Sequence, residues 1–524
     1  MTTPQTIPPS IEATPALVDF SDLYDRGAVQ VVATKLVADL ETPVSAYLKL
    51  KTQRSPSFLL ESVEGGAVRG RYSIIGLRPD IIWRASGDTA EIDRDALSGR
   101  GRFTREEKPA LASLRALLDE SRIELADALP PMAAGVFGYM GYDTIRLIER
   151  LPNTPPDDLG VPDSILVRPT VMVIFDAVKD EMTVTTPVRP VPGLSAADAY
   201  AAALARLAEV VAELDAPLAH SDRAAVDVAA LDEPQSNTTP AEYLAMVARA
   251  KEYIRAGDIF QVVLSQRFSA PFTLPAFALY RALRRLNPSP FLYHLDFGDF
   301  ALVGSSPEIL VRVRKGEVTI RPIAGTARRG ATRSEDQALA EALLADPKER
   351  AEHLMLLDLG RNDVGRVAEI GSVRVTDQFV IERYSHVMHI VSNVIGRLAA
   401  PNDTVDALMA GFPAGTVSGA PKVRAMEVID ELEKEKRGLY AGCVGYFAAD
   451  GEMDTCIVLR TALVKDGRVY VQAGAGVVYD SIPENEQQEC INKAKAVVRA
   501  AEEAVRFASR GAARKTSGNG GAWS

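Results

Sequence analysis

Short hydrophobic runs of the β type recur along most of the chain, each bounded by glycine, proline or polar residues. Such runs predict strands, because apolar residues at alternate or consecutive positions suit a pleated surface that is buried on one or both faces. In the first half they lie at residues 57–61, 72–75, 81–84, 134–137 and 167–175. In the second half they lie at residues 259–268, 291–295, 309–313, 318–321, 387–395, 443–447, 455–464 and 469–472.

Apolar residues at helical spacing separate some of these runs. The predicted helices lie at residues 110–118, 196–214, 240–256, 275–286, 333–345, 348–357, 420–433 and 483–507. Many consecutive strands have no helix between them. This order favours an α+β fold with mainly antiparallel sheets over a doubly wound parallel sheet.

Three polar segments fall outside this pattern. Residues 1–14 are rich in threonine and proline, and residues 509–524 are rich in glycine and polar residues, so both ends are predicted to be disordered tails. Residues 215–237 combine aspartate, alanine and proline, which is typical of a linker or a long surface loop. This segment is a candidate boundary between an N-terminal and a C-terminal part.

The composition narrows the class of protein. A net charge of −11 and a pI near 5.3 argue against a nucleic-acid-binding protein or a polybasic membrane-surface protein, since both need a cationic face. The first 15 residues lack the apolar run of a signal peptide, and no run of 18 consecutive apolar residues occurs. The three cysteines, Cys443, Cys456 and Cys490, are odd in number and have no CxxC spacing, which predicts a reduced, cytoplasmic setting.

Two pairs of glutamates lie on predicted helices at a spacing of one turn. Glu349 and Glu352 form one pair, and Glu486 and Glu489 form the other. Each pair alone is more often a solvated helix surface. Together, four carboxylates would repel one another unless a hard divalent cation lay between them, and magnesium with oxygen ligands suits such a site.

Three glycine-containing segments follow or precede predicted elements. Residues 322–326 and 472–476 each come directly after a β-type run, and residues 413–422 open the helix predicted from residue 420. Each glycine segment can be an ordinary turn or bulge. The functional alternative is a turn that brings backbone N–H groups close to an anionic ligand.

Five segments together resemble the chorismate-utilising enzymes, most closely the large synthase subunits of anthranilate synthases. They are Pro-Ile-Ala-Gly-Thr (322–326), Asp-Leu-Gly-Arg-Asn-Asp (358–363), Pro-Ala-Gly-Thr-Val-Ser-Gly-Ala-Pro-Lys (413–422), Asp-Thr-Cys-Ile-Val-Leu-Arg (454–460) and Gln-Ala-Gly-Ala-Gly (472–476). The resemblance implies one α+β unit with two facing, mainly antiparallel sheets and helices outside.

The resemblance also implies how the chain is organised. Residues 15–220 correspond to an N-terminal region that contributes to a regulatory site, and residues 238–508 correspond to the chorismate-binding catalytic region. Because the family forms a single unit, the resemblance argues against a domain boundary at residues 215–237.

Site residues follow from the positions that match the family. The implied magnesium ligands are Glu352 and Glu489, with Glu349 and Glu486 in the same cluster. The implied chorismate contacts are Gly325, Thr326, Tyr440, Arg460, Gly474, Ala475 and Gly476. Glu308 matches the acid expected to protonate the departing 4-hydroxyl, whereas His389 and Thr416 match residues linked to the later loss of pyruvate. By itself, a histidine in a β-type run is more often a core residue.

Two further positions bear on the choice of reaction. Relatives that activate water carry a lysine at the position of Gln261, and relatives that add ammonia at C4 carry one at the position of Ala324. Their absence leaves amination at C2, with loss of the 4-hydroxyl and then of pyruvate, giving anthranilate. An aminodeoxychorismate synthase or another chorismate-utilising enzyme is the nearer alternative, and a tryptophan sensor without catalytic activity is the more distant one.

Two segments resemble the halves of the family's tryptophan inhibitor site. The implied contacts are Ser62, Pro290, Phe291 and Leu292. From composition alone, the segment around Ser62 would be a buried strand and the segment at residues 287–293 a turn that ends a helix. The family often has Tyr-Met in place of Phe291 and Leu292. The resemblance therefore predicts feedback inhibition without fixing its strength.

A glutaminase centre is absent from the sequence. No Gly-x-Cys-x-Gly motif occurs, so no cysteine is set up to hydrolyse glutamine. The resemblance therefore implies that a separate glutamine amidotransferase subunit delivers the ammonia and that the two chains form a hetero-oligomer.

Overall fold

The computed structural model describes residues 11–51, 56–64, 68–218, 233–384 and 387–516. The helices are α1 (Leu17–Asp25), α2 (Pro43–Leu50), α3 (Ala110–Glu120), α4 (Ala196–Asp215), α5 (Pro240–Ala256), α6 (Ala276–Leu286), α7 (Arg333–Ala345), α8 (Pro347–Gly365), α9 (Thr404–Gly411), α10 (Lys422–Leu432) and α11 (Pro483–Thr516).

Strands outnumber helices in the described part of the chain. They are β1 (Gln30–Val37), β2 (Ser57–Glu64), β3 (Val68–Ser86), β4 (Thr89–Asp93), β5 (Thr104–Arg105), β6 (Gly135–Met140), β7 (Ser164–Asp176), β8 (Glu181–Val188), β9 (Gln235–Ser236), β10 (Gln261–Pro271), β11 (Phe291–Asp296), β12 (Phe300–Ser306), β13 (Ile309–Arg314), β14 (Glu317–Ile320), β15 (Ile323–Arg328), β16 (Arg374–Arg383), β17 (Val387–Arg397), β18 (Gly419–Ala420), β19 (Cys443–Ala448), β20 (Met453–Ile457), β21 (Thr461–Lys465) and β22 (Arg468–Val477).

Antiparallel pairing joins these strands into two arms that meet at β7. The first arm runs in the order β1, β8, β7, β3, β2, β11, β12, β21, β22 and β10. The second runs from β7 through β6, β19, β20, β13 and β14 to β17, which also pairs with β15 and β16. The predicted α+β class with mainly antiparallel sheets is confirmed, and the two predicted sheets are continuous through β7.

The arms face each other across one hydrophobic core. Phe58 of β2 stacks on Phe137 of β6 with ring centroids 4.8 Å apart, and Phe137 in turn contacts Tyr446 of β19 at 5.3 Å. Helices cover the outer faces, with Leu207 and Val497 buried against the first arm, Leu408 of α9 against the second, and Met426 of α10 beside β10. Both arms mix strands from residues 15–220 with strands from residues 238–508.

Several elements differ from the predicted pattern. The helices α1, α2 and α9 were not predicted. Helix α11 continues to Thr516, so residues 509–516 of the predicted C-terminal tail are helical, and residues 517–524 lie outside the described residues. The predicted run 455–464 is interrupted at Arg460, whose φ of 48° ends β20 and precedes β21. Part of the candidate boundary, residues 219–232, and most of the predicted N-terminal tail lie outside the described residues.

The cysteines and the helices also bear on the predictions of a reduced compartment and of no membrane span. All three cysteines are buried and free of disulfide bonds. Within the described ranges, no helix combines the length and the apolar character that crossing a membrane would require.

Candidate active site

The segment at residues 472–476 lies inside a strand, which corrects the predicted turn. β22 continues to Val477 and pairs with β10, so that Gly474 lies opposite Ser265 and Gly476 opposite Val263. The prediction was wrong because glycine is a common signal for turns, whereas in this strand the small residues leave room above the sheet surface.

Two buried side chains occupy the room above these glycines. A Cβ atom added at Gly474 would lie 2.8 Å from the Tyr440 hydroxyl, and one added at Gly476 would lie 2.7 Å from Nε2 of Gln261. Ala475 between them is fully buried in the core, because successive side chains of a strand point to opposite faces. The glycine face of β22, with Tyr440 and Gln261, forms one wall of the candidate site.

Gly325 forms a bulge in β15 on another side of the site. Its φ of +71° lies in the left-handed region, and the register with β17 shifts between Ala324 and Thr326. A Cβ atom at Gly325 would lie 3.0 Å from Oε2 of Glu349 on α8. The bulge therefore brings the strand backbone against one of the predicted metal-binding carboxylates.

His389 on β17 lies across from this bulge. Its Nδ1 is 3.0 Å from the carbonyl of Gly325 and 3.1 Å from the hydroxyl of Thr326. A carbonyl only accepts, so Nδ1 carries the proton and Nε2 keeps a free lone pair. Burial lowers the pKa of His389, and the nearby Arg460 charge lowers it further, so the imidazole is neutral at neutral pH.

Glu308 is the buried acid of the site. It follows β12 and is 7% exposed, and the Thr416 hydroxyl lies 3.3 Å from both of its carboxylate oxygens. Burial raises the pKa of Glu308 to about 8, despite hydrogen bonds from Thr416 and from the backbone N–H of Ile323 that oppose the shift. The carboxyl group is therefore mostly protonated at neutral pH and can donate a proton.

Arg460 supplies a cation to the same region. Its left-handed backbone lies between two strands, and its guanidinium is largely removed from solvent, which lowers the pKa of this group. In the described part of the structure, no carboxylate counteracts this shift. Arg460 is thus available for a carboxylate of a ligand.

The four predicted metal-binding glutamates lie within electrostatic range of one another. Burial raises the pKa of Glu349, Glu352 and Glu486, and the charge of Glu489 raises each of the three further. Glu489 pairs with Lys493 at 2.7 Å, and Lys493 donates to the carbonyl of Gly474 at 3.0 Å. The helix α11 is thereby tied to the glycine face of β22.

A preformed metal-binding shell is not present among the described residues, since no three His, Cys, Asp or Glu side chains converge closely enough to hold an ion. The donors are nevertheless suited to magnesium. This ion is usually held by one or two protein carboxylates, with waters and substrate oxygens completing six ligands. Glu352 lies on α8, which packs on the bulged strand β15, and Glu489 lies on α11, which packs on β22, and the two fit that arrangement.

Tyr384 is a site residue that the sequence did not indicate. Its ring lies 5.5 Å from that of His389, and its hydroxyl donates to Glu382 at 2.8 Å. The phenol also interacts electrostatically with Glu308 and Arg460. Tyr384 directly follows β16, a strand that was not predicted, and the pairing of β16 with β17 brings it beside His389.

The four residues predicted to contact tryptophan line one cavity of about 810 Å³. Phe291 of β11 lies directly opposite Ser62 of β2, although more than two hundred residues separate them in sequence. Glu61, also in the wall, is buried and accepts hydrogen bonds from Tyr280 and Arg284. The structure thus brings together two segments that the resemblance linked.

This cavity extends toward the catalytic residues. Pro307, Ile323 and Tyr384 belong to its wall, and Pro307 directly precedes Glu308. Phe291 of β11 pairs with Ser62 of β2 on one side and with Ser306 of β12 on the other. Three neighbouring strands therefore connect Ser62 to a residue two positions before the buried acid.

Comparison with known proteins agrees with this arrangement. The family described as chorismate binding enzyme matches residues 77–499. Anthranilate synthase component 1 of Cereibacter sphaeroides is 59% identical over 488 residues, which cover 93% of this chain and 97% of that protein. The protein of the same name from Aquifex aeolicus is 46% identical and covers 93% of this chain and 97% of its own length.

Solved structures give the same result. The crystal structure of anthranilate synthase component I from Streptococcus pneumoniae has a TM-score of 0.72 and 40% identity, covering 88% of this chain and 98% of that one. The menaquinone-specific isochorismate synthase from Escherichia coli, at 21% identity and a TM-score of 0.67 over 93% of this chain and 99% of that one, shares the fold.

Proposed function

Because this chain belongs to the chorismate binding enzymes, and within them to the anthranilate synthase component 1 family, we propose that it converts chorismate and ammonia to anthranilate and pyruvate. This reaction is the first step of tryptophan biosynthesis.

One observation favours this reaction over others on the same fold. Gln261 is 3% exposed and lies against Gly476, and Ala324 is 8% exposed beside the Gly325 bulge. Both positions therefore lie at the site walls, and neither provides a lysine to activate water or to bind the ring covalently. Ammonia attacking C2 is the reaction that needs no such group.

The first stage is addition of ammonia at C2 with departure of the 4-hydroxyl. Glu308, protonated at neutral pH, gives its proton to the departing oxygen so that it leaves as water. Arg460 binds a carboxylate of chorismate, and Tyr440 and the glycine face of β22 hold the ring beside it. Thr416 orients the Glu308 carboxyl through its hydroxyl.

The second stage restores the aromatic ring. The C2 hydrogen leaves as a proton, and the bond from C3 to the enolpyruvyl oxygen breaks to release pyruvate. His389 suits the role of base, because its Nδ1 is committed to Gly325 and its neutral Nε2 can take the proton.

Magnesium is the proposed cofactor, held by Glu352 and Glu489 with Glu349 and Glu486 nearby. When bound, it neutralises the ring carboxylate of chorismate and fixes its position. The protein's own contribution is to present oxygen donors from α8 and α11 beside the glycine face.

Tryptophan is the proposed inhibitor, bound in the cavity lined by Ser62, Pro290, Phe291 and Leu292. Support comes from the register that places Ser62 beside Phe291. Ammonia is proposed to come from a separate amidotransferase subunit, which accords with the component 1 naming of the relatives and the lack of a glutaminase motif.

The assay that tests the proposal uses the purified full-length chain. With chorismate, magnesium and ammonium at alkaline pH, anthranilate should form and be detected by its fluorescence, and tryptophan should suppress it. Glutamine should replace ammonium only after a partner subunit is added. If no anthranilate forms, the assignment is wrong, and a product that retains the enolpyruvyl group or carries its amine at C4 would identify another chorismate reaction.

A non-catalytic tryptophan sensor is the remaining alternative. Such a protein would be expected to have lost residues of the reaction centre, yet Glu352, Glu489, His389 and Arg460 are all present. Turnover in the ammonium assay separates the two directly.

A further inference from the structure

A fully buried ion pair lies directly behind the site and takes no part in the proposed reaction. Arg437 is 2% exposed and Glu433 is 7% exposed. Arg437 donates through Nε to Oε2 of Glu433 at 2.9 Å and through Nη2 to Oε1 at 2.6 Å. Glu433 also accepts from the backbone N–H and the hydroxyl of Ser265 at 2.8 and 2.9 Å.

The same guanidinium contacts three segments around the wall of the site. Its Nη1 donates to the carbonyl of Val417, next to Thr416, at 2.7 Å. Its Nη2 donates to the carbonyl of Val263 on β10 at 2.6 Å. The ring centroid of Tyr440 lies 5.4 Å from its central carbon, at a distance typical of a cation–π contact.

Each of these contacts leads directly to the wall of the site. Val263 is the cross-strand partner of Gly476, and Ser265, which Glu433 binds, is the partner of Gly474. The Tyr440 hydroxyl covers Gly474 from the other side. One planar group therefore sets the distances among the Thr416 turn, the Tyr440 ring and the glycine face.

Stability alone is a weak reason for such a pair. Removing two charges from water costs free energy that their attraction often only offsets, and well-packed apolar residues of similar volume can serve a core equally well. A guanidinium differs from them because its donors point in fixed directions within one plane. This property is useful where several backbone segments must keep a fixed separation.

We infer that Arg437, held in place by Glu433, is a positioning residue that fixes Thr416 and Tyr440 relative to the glycine face of β22. The inference rests on the proposed function, since it concerns how substrate contacts are placed. Arg437 lies behind Tyr440 and touches neither substrate nor metal.

The substitution Arg437→Lys tests this role. A lysine keeps the charge but has one nitrogen where the guanidinium has three. It therefore cannot donate at once to Val417, Val263 and both oxygens of Glu433. Because misplacement of about 1 Å can cost on the order of a hundredfold in rate, kcat/KM for chorismate should fall at least tenfold. The KM for ammonium should change less than about twofold, since the contacts of Arg437 lead to the walls proposed for chorismate.

A second measurement follows the products. Val417, which Arg437 holds, adjoins Thr416, which orients Glu308 in the first stage and matches a family residue linked to pyruvate loss. The variant should therefore release part of the aminated intermediate that still carries the enolpyruvyl group, detectable by mass spectrometry of the reaction mixture. A protein that is merely less stable would lose active molecules without changing the ratio of intermediate to anthranilate.

The matched control is Arg168→Lys. Arg168 is 8% exposed and binds Asp80 through Nε and Nη2 at 2.9 and 2.8 Å, but it lies on β7, away from the glycine face. Its variant should keep the wild-type ratio of products and the wild-type KM for chorismate. Equal changes in both variants would overturn the inference, as would a folded Arg437→Lys protein with wild-type kinetics.

Glu433→Gln decides the question if Arg437→Lys does not fold. The amide preserves size and can still accept from Ser265, but it replaces the charge-assisted hydrogen bonds from Arg437 with weaker ones. A raised KM for chorismate and released intermediate are expected, and unchanged values would overturn the inference. All comparisons use a wild-type enzyme that makes anthranilate, so failure of the proposed function would be recognised before any variant is tested.

Discussion

Individual side chains in the site have protonation states that differ from those of the free amino acids, and Glu308 differs most. Burial raises its pKa from 4.5 to about 8, so the native state binds this proton more tightly than the unfolded chain does. The free energy of unfolding should therefore fall as pH rises from about 4.5 toward 8. A pH series of denaturant unfolding, wild type against Glu308→Gln, isolates this contribution, and parallel curves would contradict it.

The same residue should limit activity at alkaline pH. With free ammonia held constant, kcat/KM for chorismate should fall as pH rises through about 8, because the acid loses its proton. Glu308→Gln should lower kcat by about a hundredfold or more, the usual contribution of a general acid. Fluorescence of anthranilate provides the readout, and a Gln variant that retains the alkaline inflection would assign it to another group.

The carboxylates proposed for magnesium provide a second prediction at this scale. Glu352→Gln and Glu489→Gln should each raise the magnesium concentration needed for half-maximal activity by about tenfold or more, a typical cost of weakening a metal site. Glu484→Gln is the control, since Glu484 is exposed on the same helix as Glu489. An unchanged magnesium requirement in both ligand variants would remove the assigned role.

At the scale of elements, the spacing between β22 and its neighbours depends on glycine. Gly474→Ala would place a Cβ atom 2.8 Å from the Tyr440 hydroxyl and 2.9 Å from the carbonyl of Leu264. We expect a loss of about 1–3 kcal/mol in the free energy of unfolding, as for other overpacked sites, together with weaker chorismate binding.

Gly365→Ala is the matched control for that substitution. No atom would lie within 4 Å of its added Cβ, and its backbone φ is ordinary. Thermal unfolding and the KM for chorismate should both stay near wild type in this variant. A Gly474→Ala protein that behaves like it would show that the space above β22 is not restrictive.

The elements themselves were predictable where local signals agree. Helix α5 begins and ends as predicted, because Thr239 and Glu242 form a capping box, a proline opens the first turn and Gly257 ends it with a φ of 84°. Helix α1 has no side-chain cap and depends on the burial of Phe20 and Tyr24. Nothing in its sequence alone indicates that tertiary packing.

The site was predictable to a similar extent. Family motifs indicated which residues matter, and the structure groups Glu308 with Thr416 and Thr326 with His389 as hydrogen-bonded pairs. The strand at Gly474 and the approach of Tyr384 were missed. The first depends on pairing of β22 with β10, which lies far away in sequence, and the second on β16, a strand that no pattern predicted.

On the scale of the whole molecule, the cavity proposed to bind the inhibitor and the proposed reaction centre share one wall of strands. Neighbouring strands are about 4.8 Å apart, so Ser62, Phe291 and Ser306 span only about 10 Å. Because β11 pairs directly with β12, a ligand that displaces β11 should also shift the segment that carries Glu308. Binding of tryptophan should weaken chorismate binding, and chorismate should weaken tryptophan binding by the same factor.

Ser62→Val tests the regulatory half of this wall. Loss of a hydroxyl that bonds a charged group of the ligand costs about 1.5–3 kcal/mol, so the tryptophan concentration for half inhibition should rise about tenfold or more. Ser98→Ala, on an exposed turn, is the control. Half inhibition at the wild-type concentration would place the inhibitor elsewhere.

The order of these three strands has a practical consequence for engineering. β2 carries Ser62 and lines the cavity proposed for the inhibitor, whereas β12 leads within two residues to Glu308, the proposed acid. A strain meant to overproduce tryptophan requires an enzyme that ignores its end product yet keeps its turnover. Libraries for such an enzyme should randomise β2 and leave β12 untouched, with substitutions on β11 trading control against rate.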